Sequence, residues 1–93
     1  PERLSLELVE AATLAEEAVA AALSGVERPE RWTIERAVVA ERVRADRVQM
    51  RQALRNLIAN ALQAQPEGGR VRVELAREGD EHVLAVLDDG PGI

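Results

Sequence analysis

The chain has 93 residues, enough to bury one small core and not comfortably two. A net charge of −5 argues against nucleic acid or an anionic membrane as the partner, since both favour basic surfaces. There is no cysteine, which excludes disulfides and thiolate metal sites, and Trp32 is the single aromatic residue, so the core must be aliphatic. No apolar run is long enough to span a membrane, and no signal-peptide pattern is present. All twelve basic residues are Arg, which carries little functional information.

ERLSLELV (2–9) alternates, with Leu4, Leu6 and Leu8 on one side and Ser5 and Glu7 on the other, which is strand spacing. From Glu10 to Leu23 the apolar residues recur at threes and fours, which predicts a helix stopped by Ser24-Gly25. WTIERAVVA (32–40) is rich in strand formers, and RVRA (42–45) reads as a short partner strand. Asp46 is placed to cap a long helix that runs to about Gln65, where Pro66-Glu67-Gly68-Gly69 ends it. RVRVELARE (70–78) alternates strictly, with Val71, Val73 and Leu75 inward. Gly79-Asp80 is turn chemistry, and HVLAVLDDG (82–90) returns as a second strand. The chain shows no internal repeat and no linker to a second domain. The order β, α, β, β, α, β, β predicts an α+β fold, with helices laid on one face of a mixed sheet.

RNLIANALQA (55–64) sets a puzzle inside the long helix. Met50, Leu54, Leu57, Ile58, Ala61 and Leu62 form an apolar stripe, yet Gln52, Asn56, Asn60 and Gln63 form a second row beside it. Asparagine is a mediocre helix former, because its side chain competes for backbone hydrogen bonds. Taken alone, the row reads most simply as solvated amides. An amide is also neutral and both donates and accepts, which suits a place that needs an oxygen ligand without added negative charge. Mg²⁺ holding nucleotide phosphates is such a place. VLDDGPGI (86–93) is a second candidate: a strand running into an acidic pair and glycines. It is a turn by default, but a carboxylate can accept from adenine's amine, and glycine lets backbone approach a ligand.

The two motifs together, in this order and with a hairpin between them, are more specific than either alone. RQALRNLIANALQA resembles the N box of sensor histidine kinases, over 51–64, and LDDGPGI resembles their first glycine box, over 88–93. VRADRVQMRQAL resembles the family's approach to the N box, so the resemblance covers 42–93, and 1–41 fit in element order. It implies a Bergerat-type ATP-binding fold, a two-layer sandwich shared with gyrase and MutL, with 1–93 as one partial domain. By position, Asn60 is implied as the Mg²⁺ ligand and Asn56 as a phosphate-facing residue one turn earlier. Asp88 is implied as the adenine-amine acceptor, and Gly90 and Gly92 as the wall of the nucleotide site. Gln63 stands on the nucleotide side where many relatives have Lys, so a charge contact is lost there. Asp89 replaces a common Asn, and Ala64 a common aromatic residue.

Position 56 also bears on reaction type. ATP-hydrolysing relatives typically carry Glu there, the base that activates water, and Asn cannot serve as that base near neutral pH. The implied activity is therefore phosphoryl transfer from Mg-ATP to a histidine of the parent's own dimerisation domain, then to a response regulator. Two alternatives stay open: another ATPase or serine kinase of the superfamily, of anti-sigma type, and a non-catalytic interaction module. His82 is expected on the hairpin surface and matches no phosphoacceptor motif. The resemblance also implies that the lid and later elements are missing, so the chain alone is expected to be inactive. It is expected to self-associate through an exposed sheet edge. Such a domain works in the cytoplasm, in a parent that is soluble or membrane-anchored.

Overall fold

The computed structural model describes residues 6–39, 41–79 and 81–88. The elements follow as β1 (Leu6–Glu10), α1 (Ala11–Leu23), a short 3-10 turn (Pro29–Arg31), β2 (Trp32–Val38), β3 (Arg42–Asp46), α2 (Arg47–Ala64), β4 (Gly69–Glu78) and β5 (Glu81–Asp88). This is the predicted order.

The mixed sheet has three strands, in the order β2-β4-β5. β2 runs parallel to β4, and β5 returns antiparallel to β4, from Glu78 opposite Glu81 to Val71 opposite Asp88. The strict alternation of β4 holds: Val71, Val73 and Leu75 are buried, against both helices' layer. Its other face is open and carries ion pairs, Arg70 with Glu35 at 3.6 Å and Arg72 with Glu74 at 2.9 Å. α1 lies against β2, α2 lies against β4 and β5, and the helices pack beside each other.

The remaining strands form a separate ribbon. The expectation that β3 partners the strand preceding it is corrected: β3 pairs antiparallel with β1, Leu8 opposite Arg44 and Val9 opposite Val43. β2 is already bonded to β4, whereas Val43 and Ala45 of β3 continue the buried face begun by Val9. Burial therefore selects the partner. The Leu6–Leu8 side of β1 is the open one, and Leu4 lies outside the described residues.

α1 buries Ala11, Leu14, Ala15, Ala18, Val19 and Ala22, at helical spacing. Asp46 caps α2 as predicted, its Oδ1 accepting from the Gln49 amide at 3.1 Å. α2 buries Leu54, Ile58, Ala61 and Leu62. Leu57, placed in that stripe by the sequence, remains 41% exposed. Spacing explains this: Leu57 falls about a quarter-turn from Ile58, on the flank of the buried stripe.

The join between α2 and β4 is locked by a residue that periodicity does not flag. Gln65 is only 7% exposed. Its carbonyl accepts from Trp32 Nε1 at 2.9 Å, and its Nε2 donates to the Arg70 carbonyl at 2.9 Å. Both partners satisfy groups that burial would otherwise penalise. Gly68 (φ +108°) presses this turn against the Arg31 backbone, where any side chain would collide. The helix thus leaves α2 directly into the sheet's central strand, and its C-terminal end is held at a fixed place over β4.

Candidate functional site

Asn56 and Asn60 are exposed on α2. At 3.6 residues per turn they point nearly opposite Ile58, so the amide row tops the helix on the side away from the sheet. Gln63 is exposed one turn beyond Asn60 in that row. The expected apolar stripe and the amide row are therefore back to back, with the two flanks of the helix between them.

The flanks differ. Arg51 and Arg55 lie on the flank that faces α1, where they border a groove of about 420 Å³ with Glu17, Ala20, Ala21 and Gln52. The other flank turns away from α1, toward the β5 side of the sheet, and half-exposed Leu57 lies on it. A second groove of about 320 Å³ borders the start of the helix, between Leu6, Ala45, Gln49, Met50 and Ala53. Neither groove includes Asn56, Asn60, Gln63 or Asp88.

Asp88 ends β5, opposite Val71. Directly opposed residues share a sheet face, and Val71 points into the core. Asp88 thus leaves the sheet on the helix side, exposed at the rim. Val71 follows the α2–β4 join by only a few residues, so Asp88 belongs to the C-terminal end of α2, as do Asn60 and Gln63. Asp88 and the last turns of α2, separated in sequence by a whole hairpin, thus lie toward one end of the sheet. The carboxylate is below, Leu57 is on the flank, and the amides are above.

The amides are not equivalent. Asn56 Oδ1 accepts from Arg55 Nη2 at 2.7 Å. Asn60, like Gln52 and Gln63, has no side-chain hydrogen bond among the described residues, so of the two asparagines it is the one whose oxygen is open to a cation. Among the described residues there is also no group of three or more His, Asp or Glu side chains that could hold a metal. The row therefore fits an ion that draws one or two ligands from protein and the rest from phosphate and water, which is Mg²⁺ chemistry. Gly90 and Gly92 lie outside the described residues, as does the side chain of His82.

A profile of the family described as "Histidine kinase-, DNA gyrase B-, and HSP90-like ATPase" matches residues 45–93. The chain belongs to that family. The matched region takes in all of α2, the hairpin and both motifs, more than half of the chain. It is 40% identical over 52 residues to the alginate biosynthesis sensor protein KinB of Pseudomonas aeruginosa, covering 56% of this chain and 9% of that protein. The fold is that of the mycobacterial sensor histidine kinase MprB, with a TM-score of 0.77, 27% identity, and coverage of 96% of this chain and 58% of that one. The Acinetobacter baumannii histidine kinase AdeS gives a TM-score of 0.79 at 25% identity, covering 99% of this chain and 46% of that one. The chain thus spans about half of these solved structures and a small part of its curated relative. The likeness in fold reaches β1, α1 and β2, where the family profile does not. As a member of this ATPase family the domain carries a Bergerat-type fold, and no helix among its described residues is long and apolar enough to cross a membrane.

Proposed function

We propose that this chain is the nucleotide-binding catalytic portion of a bacterial sensor histidine kinase. The parent transfers the γ-phosphoryl group of Mg-ATP to a histidine of its dimerisation domain and then to a response regulator. The observation that supports the reading is that Asp88 ends β5 opposite Val71, at the start of β4, and that Asn60 lies in the last turns of α2, which leads into that strand. Asp88 accepts from adenine's amine, and Leu57 offers the ring an apolar flank. Asn60 offers its oxygen to Mg²⁺, which when bound neutralises phosphate charge. Phosphoryl transfer asks a protein mainly for positioning and charge balance, and this site supplies both without a strong base. Asn56 fits transfer to a protein group better than transfer to water. Since ATP is cytoplasmic, the domain works there. Self-association through the outer strands of the sheet is a further property of this reading, checked by sedimentation over a range of concentrations.

The test is a titration of the chain with ADP and Mg²⁺, followed by calorimetry or amide NMR. Saturable binding that is lost in Asp88→Asn, and that loses its Mg²⁺ dependence in Asn60→Ala, is the expected result. No binding by a folded chain, or binding indifferent to Asp88→Asn, overturns the reading.

A further inference from the structure

The contact between Arg55 and Asn56 has a cause in the packing of the two helices. Arg47, Arg51 and Arg55 follow one another along α2 at one-turn spacing, on the side facing α1. α1 offers this row a single carboxylate, Glu17. Arg47 takes it, through Nη2 to Oε2 and through Nε to Oε1 at 3.4 Å, and Arg51 reaches it at 3.8 Å. Beside Arg55 the groove wall is Ala20 and Ala21, which have no side-chain acceptor. Arg55 turns instead to the next residue and donates to Asn56 Oδ1 at 2.7 Å. Adjacent residues on a helix do not ordinarily face each other, and it is the length of the arginine side chain that allows this contact.

A guanidinium has only donors, so the atom of Asn56 that it holds must be the oxygen. The amide's Nδ2 hydrogens are then the part of Asn56 left for a ligand, with a fixed positive charge beside them. We propose that Arg55 is a positioning residue of the nucleotide site: it turns the Asn56 amide so that its N–H groups, not its oxygen, meet the phosphates, leaving the metal to Asn60. This rests on the nucleotide reading above and divides the labour between two asparagines that sequence alone makes look alike. The ligand chemistry at position 56 is then an anionic oxygen of a diphosphate or triphosphate, and adenosine gains nothing from it.

The test is ADP titration of the whole chain with and without Mg²⁺, comparing wild type with Arg55→Leu, Arg55→Lys and Asn56→Asp. Positions 55 and 56 are exposed, so circular dichroism should show the variants folded. Arg55→Leu is expected to weaken ADP binding by about fivefold in both conditions, the scale of one solvent-exposed charged contact. Arg55→Lys keeps a charged donor and is expected to restore most of that loss. Asn56→Asp removes the amide hydrogens and is expected to weaken ADP binding with and without Mg²⁺. Adenosine binding is expected to be the same in all four proteins. The Asn56 side-chain amide resonances are expected to move in Arg55→Leu without any nucleotide. Asn56→Asp binding Mg-ADP as tightly as wild type or more so would mean that the site uses the oxygen, and overturns the proposal. So does ADP affinity unchanged in Arg55→Leu, while the nucleotide reading stands. If wild type itself does not bind ADP, that reading fails and the proposal falls with it.

Discussion

On the proposed kinase reading, position 56 decides how the site treats water, and Arg55 bears on the same point. A Glu at 56 would have a carboxylate where water can be deprotonated, as ATP-hydrolysing relatives do. Beside Arg55, however, that carboxylate would be held in its ionised form with a lowered pKa, making it a weak base. Asn56→Glu alone is therefore expected to raise ATP hydrolysis only slightly. Asn56→Glu combined with Arg55→Leu is expected to raise it by tenfold or more, toward the range of about 10²–10⁴ that a well-placed general base contributes. Phosphate release from ATP measures both, and equal rates in the single and double variants would break the link between the two residues. Much of this scale was readable beforehand. The four-residue spacing of Asn56 and Asn60 places them in one row whatever the fold. Their difference was not readable, because it depends on α1 turning only Glu17 toward three arginines while Glu16 pairs with Arg36, a fact about packing between distant segments.

Among the elements, the join between α2 and β4 positions the site, since it fixes where the end of the helix lies relative to Asp88. A Cβ on Gly68 would stand 2.4 Å from the Arg31 carbonyl oxygen, at a φ of +108° that side chains rarely adopt. Gly68→Ala is thus expected to destabilise the chain by about 2 kcal/mol or more, read as a lower denaturation midpoint. Trp32→Phe removes the donor to the Gln65 carbonyl together with part of the ring packed against the core, and is expected to cost about 1–2 kcal/mol. A Gly68→Ala chain as stable as wild type would mean that the turn relaxes freely. The sequence signalled this turn through Pro66-Glu67-Gly68-Gly69, but Gln65 looked like an ordinary last helical residue. Nothing in its local pattern reveals a buried amide, because its partners are Trp32 and Arg70, one of them far away in sequence. The pairing of β1 with β3 was missed for the same reason. Alternation says which residues share a side of a strand, and only the assembled core says which strand lies alongside. The β4–β5 hairpin was legible because turn and alternation are both local.

The molecule is held by an aliphatic core in which, among the described residues, alanine supplies six of the sixteen buried apolar residues, so each larger side chain carries a large share. Leu54 is fully buried at the centre of α2, between α1 and the sheet. Leu54→Ala is expected to cost about 3 kcal/mol, within the usual range for such truncations. Against the ~5–15 kcal/mol that stabilises a typical domain, this leaves a small one near its threshold. A ligand that binds only the folded chain stabilises it by about 2.7 kcal/mol at a hundredfold excess over Kd. Mg-ADP at that excess is therefore expected to return the melting temperature of Leu54→Ala close to that of ligand-free wild type. Leu54 is on the buried face of the helix and not on its amide row, so the substitution spares the site's own contacts. The same addition is expected to do much less for Asp88→Asn, in which the core is intact and the proposed adenine contact is removed. If Mg-ADP raised both melting temperatures equally, the stabilisation would come from binding elsewhere than at the end of α2.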